Sequence, residues 1–408
     1  MRFYAIKVSA TGSAPNLSII NGVASIIDAN TALAGLSSTA IPEISAYASG
    51  AQWSSVVNGV NDPGALDIDF DIEVTSGACA GSLTIKGITQ DLISESTVFT
   101  GQRVQLFGGF TEGLPLAKDQ VLHQGLIADG QIYPAFGNWT GTDLSLTFIV
   151  TPGNPTGLGG PTDPKNIIHN MPQGSQLSSA IQNALSTAFP DSQFIVNISN
   201  ALTLNAPDQG YHQGLEQYMN YVKQLSHGIL GTPTTTGYQG VQAFPTGYGK
   251  YVITDFTGPG TPIALQFEDL VGQPTWIDNN KIQVKTVLRA DINSAMAGGA
   301  PVYITLPYRL LVNTQAAGAA FSYTSGQGAN TFEHGNVLLF TGAWVVNKLR
   351  HVGHYRQPTG ESWVTIIEAA SSSFSAGFGT ILGGIPQIGG QLSFTGEAGG
   401  TGSSTLEL

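Results

Sequence analysis

The run Leu66-Asp-Ile-Asp-Phe-Asp-Ile-Glu-Val74 constrains this chain more than any other stretch, because apolar and acidic residues alternate in it without a break. Successive side chains of a β-strand point to opposite faces, so period 2 reads as a half-buried strand and is incompatible with a helical stripe. Leu66, Ile68, Phe70, Ile72 and Val74 share one face. Asp67, Asp69, Asp71 and Glu73 share the other, about 6.5 to 7 Å apart along the strand. The same alternation recurs at Leu144, Leu146, Phe148 and Val150. Further strands are predicted at 2–9, 82–85, 103–107 and 121–127, with turn signals at Gly108-Gly109, Asp129-Gly130 and Thr140-Gly141. Residues 1–150 read as one antiparallel β domain.

Composition narrows the class. Of 408 residues, 10% are charged, 41% are hydrophobic and 52 are glycine. Disordered chains combine low hydrophobicity with high net charge, so this chain is expected to fold. Its net charge of −12 argues against a broad grip on nucleic acid through phosphate neutralisation. One cysteine, Cys79, excludes an intramolecular disulfide and multi-cysteine zinc sites. Lys7 interrupts the run a secretory leader would need, and 369–396 is too rich in Gly and Ser for a spanning helix. Synthesis in the cytoplasm and no membrane anchor are therefore expected.

The charge is unevenly spread. No Lys or Arg occurs from Val8 to Ile85, and residues 10–62 are mostly small or aliphatic, which reads as a long insertion. Residues 151–164 (TPGNPTGLGGPTDP) form a linker. Beyond it the period changes: Leu177, Ile181, Ala184, Leu185, Ala188 and Phe189 fit one helical face ended by Pro190, and Tyr218, Tyr221, Val222 and Leu225 fit another over 215–225. With a strand at 193–198, residues 165–236 make an α+β insertion. A second β region, 237–370, carries predicted strands at 250–255, 263–267, 281–288, 302–306, 337–340, 343–352 and 362–368. Residues 371–408, with Glu397 and Glu407 as their charges, read as a flexible or partner-ordered tail.

Catalytic signatures are weak. His351 and His354, three apart on a strand end, fall on opposite faces, which does not suit a metal pair. The fragment Gly360-Glu-Ser362-Trp-Val364 has Val where a nucleophile elbow needs Gly. Gly377-Phe-Gly379 lacks the third glycine of a dinucleotide fingerprint. Neighbouring carboxylates on one strand face point in parallel rather than converging across a bond, so Asp67 and Asp69 make a poor acid–base pair. A straight strand also gathers too few oxygens for calcium. The reading is a non-enzyme without metal or cofactor, and the Asp67, Asp69, Asp71 and Glu73 face is either solvated or lines an aqueous channel where its charge repels a passing polyanion.

Several segments resemble a known family. Gln273-Pro-Thr-Trp-Ile-Asp278, Ile282-Gln-Val-Lys-Thr-Val-Leu-Arg-Ala-Asp291, Val302-Tyr-Ile-Thr-Leu-Pro307 and His351-Val-Gly-His-Tyr-Arg-Gln-Pro-Thr-Gly-Glu-Ser-Trp-Val-Thr365 are similar to the baseplate hub proteins of contractile-tailed bacteriophages and prophages. Arg103-Val-Gln-Leu-Phe-Gly-Gly109, Gly125-Leu-Ile127 and Leu144-Ser-Leu-Thr-Phe148 resemble the first β domain of that family, and 180–190 with 218–225 its helical insertion. The resemblance covers roughly residues 60–375 and implies a mainly β fold of two tube-like antiparallel β-barrel domains around a small α+β insertion. It implies a homotrimer in the virion tail that joins the sixfold tail tube to the threefold central spike. DNA would transit its lumen during ejection, and the tail tube, spike, baseplate wedge and tape-measure proteins would be partners. The alternatives are another tail-ring protein, such as a distal-tail adaptor, or a tail-tip cell-wall hydrolase.

Overall fold

The computed structural model describes residues 1–9, 51–57, 60–75, 78–110, 123–152, 166–231, 238–257, 260–278, 281–306, 343–357, 359 and 361–371. All of these lie within one compact unit, Met1–Ser372. The expectations for 10–50, the linker from 153, the strand at 337–340 and the tail beyond 371 fall outside the described residues.

The fold is mainly β. Its strands are β1 (Arg2–Ser9), β2 (Trp53–Ser54), β3 (Val56–Val57), β4 (Val60–Asn61), β5 (Asp67–Thr75), β6 (Ala78–Lys86), β7 (Arg103–Phe110), β8 (Gly125–Thr140), β9 (Asp143–Thr151) and β10 (Asn166–Met171). They continue as β11 (Gln193–Asn197), β12 (Asp208–Gln213), β13 (Gln242–Gly247), β14 (Lys250–Thr254), β15 (Thr261–Ala264), β16 (Thr275–Asp278), β17 (Lys281–Val287), β18 (Val302–Thr305), β19 (Ala343–His354) and β20 (Trp363–Ser371). Four α-helices accompany them among the described residues: α1 (Gln90–Ser94), α2 (Leu177–Ala188), α3 (Gly214–Leu230) and α4 (Ala290–Ala297).

A 13-stranded sheet runs in the order β16-β17-β20-β19-β5-β6-β9-β8-β7-β1-β2, with β15 and β18 branching from β19. The alternation in β5 does what its period dictates: Ile68, Phe70, Ile72 and Val74 are buried, and the four acids between them are half-buried. Six strands, from β5 through β6, β9, β8 and β7 to β1, curl around one core that holds Tyr4, Phe70, Leu83, Leu106, Ile127 and Phe148. The curl is joined where β1 meets β5 and the β19–β20 turn. Tyr4 donates to the Leu66 carbonyl at 2.7 Å. The Arg2 guanidinium donates to the His354, Tyr355, Gln357 and Thr359 carbonyls and to Ser362 Oγ. Trp363 of β20 fills the same core, edge-on to Phe70 at 5.0 Å, its indole N–H bonded to the Gly109 carbonyl at 3.0 Å.

A second core lies between α2, α3, the antiparallel ribbon β10–β12 and the three-stranded sheet β11-β14-β13, in which β11 and β14 are parallel. Two pairings cross the segment boundaries read from the sequence. β5 pairs with β19 from Leu349↔Val74 to His354↔Asp69, so strands of 1–150 and 237–370 share one sheet. β13 and β14 join β11 of the 165–236 segment.

Local readings differ from the structure in several places. Gly108-Gly109 and Asp129-Gly130 are not turns but lie inside β7 and β8. A Cβ at Gly109 would stand 2.4 Å from the His123 carbonyl oxygen, and one at Gly130 would stand 2.2 Å from that of Thr151. Both glycines serve close backbone approach, the usual meaning of glycine inside a strand. β8 therefore begins at Gly125 and runs 16 residues to the hairpin at Gly141, rather than spanning 121–127. Helix α3 outruns the predicted 215–225 because Ser226 turns inward, donating to the Lys223 carbonyl and accepting from the Val241 N–H, and the helix ends on left-handed Gly231. The predicted strand at 263–267 ends at Ala264, and a 3-10 turn occupies Phe267–Asp269.

Candidate functional site: a charge-balanced sheet face

The acidic edge read from the sequence is the middle of a wider face. In an antiparallel ladder, residues directly opposite share a face. Glu73 lies opposite Arg350, Asp69 opposite His354, and Asp67 opposite Lys86. Lys348 lies opposite Glu368, which in turn faces Gln283, and Lys285 and Lys281 stand on the same side of β17. The outer face of β17, β20, β19, β5 and β6 thus carries five carboxylates, Asp67, Asp69, Asp71, Glu73 and Glu368, and five cations, Lys86, Lys281, Lys285, Lys348 and Arg350.

Three of these cations, Lys86, Lys348 and Arg350, are paired with the acids, and Lys285 sits 3.0 Å from Glu361. Arg350 makes a two-pronged contact with Asp71 at 2.8 and 2.6 Å. Lys348 sits 2.9 Å from Glu73 and 3.8 Å from Glu368. Lys86 bonds Asp69 and lies 3.8 Å from Asp67. His354 Nδ1 meets Asp69 Oδ1 at 2.8 Å, and the Arg356 N–H donates to Asp67 at 3.2 Å. Donating to Asp69 raises the pKa of Lys86, donating to Glu73 raises that of Lys348, and donating to Asp71 raises that of Arg350. Because these side chains remain a quarter to nearly half exposed, solvent screens each pair to about 1 kcal/mol or less. The four acids are therefore not a bare negative wall. Their partners were legible in part: Lys348, Arg350 and His354 repeat at even spacing, the cationic counterpart of the acidic alternation.

The other sequence candidates fall elsewhere. His351 is fully buried on the inner side of β19, its Nδ1 2.9 Å from Thr365 Oγ1, while His354 points outward. Burial pushes the His351 pKa down to about 4. Ser362 anchors the β19–β20 turn through the Gln357 and Thr359 carbonyls. Among the described residues, no group of three His, Cys, Asp or Glu side chains is placed to hold a metal ion, and no helix is long and apolar enough to cross a membrane.

Two clusters left no trace in the sequence pattern. Arg289, 1% exposed, donates to Asp269 at 2.8 Å and, through Nε and NH2, to Asp291 at 2.8 and 2.6 Å. His123 Nε2 approaches the other Asp269 oxygen at 3.4 Å. Burial pushes the Asp269 pKa up, but the His123 contact, the Gln266 N–H and Arg289 outweigh it and hold the group below the usual carboxylate range. Every charge here has a partner, as a buried ionic group requires. The second cluster stacks His169 on His212 at 5.2 Å, with Tyr221 donating to Asp208 and His169 Nε2 3.2 Å from Asp208 without hydrogen-bond geometry. Both are ties between elements: the first joins His123, ahead of β8, to Asp269 and Arg289, and the second joins β10 to β12 and α3.

No family model matches the chain, and no curated protein matches it. Among solved structures, it is similar to the 43 kDa tail protein of prophage MuSo2 from Shewanella oneidensis, at 9% identity over 76% of this chain and 98% of that one, with a TM-score of 0.41. It is similar to the tail protein from Neisseria meningitidis MC58 at 8% identity over 76% and 96%, with a TM-score of 0.39. A third likeness is the E. coli c3393 protein, described as a component of the type VI secretion system with structural similarity to T4 bacteriophage tail proteins gp27 and gp5. It shows 9% identity over 75% and 74%, with a TM-score of 0.38.

Proposed function

We propose that this chain is a structural protein of a phage-type tail, acting as a trimeric baseplate hub that joins the sixfold tail tube to the threefold spike and forms part of the DNA ejection channel. The observation that carries this reading is the broad sheet face on which Asp67, Asp69, Asp71, Glu73 and Glu368 engage Lys86, Lys348 and Arg350, while Lys285 is held by Glu361. A surface lining a DNA conduit must not hold phosphates, and unpaired Lys and Arg would do so by releasing counterions. Here the cations of β6 and β19 are engaged by the acids of β5, so the face offers a passing polyanion no net attraction. In this form the lumen role of Asp67, Asp69, Asp71 and Glu73 is masking of neighbouring cations rather than repulsion by a negative wall. Tail tube, spike, wedge and tape-measure proteins are the partners this role requires, and no catalytic step belongs to it.

The mass of the purified full chain tests the reading. A trimer at micromolar concentration is expected. A hexamer would assign the chain to a ring adaptor instead, and a stable monomer would remove the hub.

A further inference from the structure

We infer that the inner side of the β10–β12 ribbon is an acid-sensitive latch, in which two stacked histidines seat the ribbon on α3 while neutral and loosen it as they take up protons. The ribbon is a two-stranded sheet of its own, and a two-stranded ribbon is marginally stable by itself. Its seat on the helices therefore decides whether it stays in place. Cross-strand pairing puts Ile167 opposite His212, His169 opposite Gly210 and Met171 opposite Asp208 on this side. Ile167 and Met171 are fully buried against α2 and α3, and His169 between them is 3% exposed. A Cβ at residue 210 would stand 3.0 Å from His169 Cε1, so glycine there gives the ring its place. The two imidazoles lie 5.2 Å apart with planes 13° from parallel, and Tyr221 of α3 covers both, at 5.4 and 4.7 Å.

The seat holds neutral rings and resists charged ones. Both ring nitrogens of His169, Nε2 of His212 and the Tyr218 hydroxyl are buried without a hydrogen-bond partner in the protein, so the rings are held by stacking and packing. Among the described residues, Asp208 is the carboxylate that faces them, 3.2 Å from His169 Nε2 and already accepting from Tyr221. Helix α2, which packs on β10, carries no titratable side chain. From α3, Tyr218 and Tyr221 face the rings, whereas Glu216 is exposed and Lys223 and His227 flank Gly240. One carboxylate balances one imidazolium. A second proton would set like charges face to face at 5.2 Å, where buried surroundings screen them poorly. Burial, and after it the charge of His169, lower the His212 pKa, and Asp208 works against them. Above about pH 6.5 the His212 ring is neutral whether the ribbon is seated or free, so the seat has no pH dependence there. Below it the free ribbon takes up a proton that the seated one refuses, and the seat weakens as pH falls. The inference is independent of the hub reading, since it concerns a ribbon outside the charged face.

The test is hydrogen exchange of the full chain by mass spectrometry between pH 7.5 and 5, with rates corrected for intrinsic exchange, comparing residues 166–171 and 208–213 with β8 and β9. Protection of the ribbon is expected to fall about tenfold or more over this range. His212→Gln removes one ring and should flatten that fall in the ribbon while β8 and β9 keep their wild-type pH dependence. Asp208→Asn still offers Tyr221 an acceptor but removes the balancing charge, and should steepen the fall. A merely structural role for the stack would give both variants the wild-type slope. Where His212→Gln already frees the ribbon at pH 7.5, the slope of Asp208→Asn decides. Constant protection of the wild-type ribbon, an unchanged slope in His212→Gln, or an unchanged or flattened one in Asp208→Asn would overturn the proposal. So would variant slopes that shift equally in the ribbon and in β8 and β9, which would give the effect to unfolding of the whole chain.

Discussion

Acid sensitivity of this fold should trace in large part to one histidine. His351 has no exposed surface, and burial pushes its pKa down to about 4 from an ordinary value near 6.5. Above pH 6.5 the ring is neutral in both folded and unfolded chains and contributes no pH dependence. As pH falls below 6.5 the unfolded chain takes up a proton that the folded chain refuses, so stability drops with pH until the folded group itself titrates near pH 4. Linkage puts the loss at about 2.5 kcal/mol by pH 4.5 and about 3 kcal/mol at its limit. His351→Asn keeps an acceptor or donor near the Nδ1 position for Thr365 and removes the titration. The variant is expected to be less stable at pH 7.5, because the lost ring volume leaves a void at a cost of about 1 to 3 kcal/mol. Its urea midpoint should then converge on the wild-type midpoint as pH falls to 4.5. Parallel midpoints for the two proteins from pH 7.5 to 4.5 would refute the reasoning, because the buried ring would then not be the group resisting the proton.

Asp269→Ala leaves Arg289 NH1 and His123 Nε2 without their carboxylate in the core while Asp291 still neutralises Arg289, and should cost about 1 to 3 kcal/mol by urea unfolding. Arg350→Ala removes a half-exposed pair and should cost less than about 1 kcal/mol by the same assay. Replacing Asp67, Asp69, Asp71 and Glu73 together by Asn or Gln frees Lys86 and Arg350 and leaves Lys348 with the more distant Glu368, and the variant should retain DNA in a low-salt gel-shift assay where the wild type does not. Failure of the variant to bind would count against the masking role. Gly130→Ala drives a methyl into the Thr151 carbonyl and should lower the melting temperature by several degrees, since backbone on both sides of the contact resists movement.

Sequence alternation determined the strand character of β5 and β9 and which of their faces is buried, because the two-residue repeat of a strand is a local steric property that the order of residues records directly. Helical spacing located α2 and most of α3 in the same way. β12 escaped notice because Asp208-Gln-Gly-Tyr-His-Gln213 has no aliphatic face, and its His212 stacks on His169 of β10 instead. Tertiary structure alone decided what the acidic face is. Asp71 and Arg350 lie 279 residues apart, and only the pairing of β5 with β19 brings them together. The sign of a strand's charge is written in its own residues. The net charge of a sheet face depends on which strands become neighbours, a choice made by long-range hydrogen bonding and core packing that no local pattern encodes.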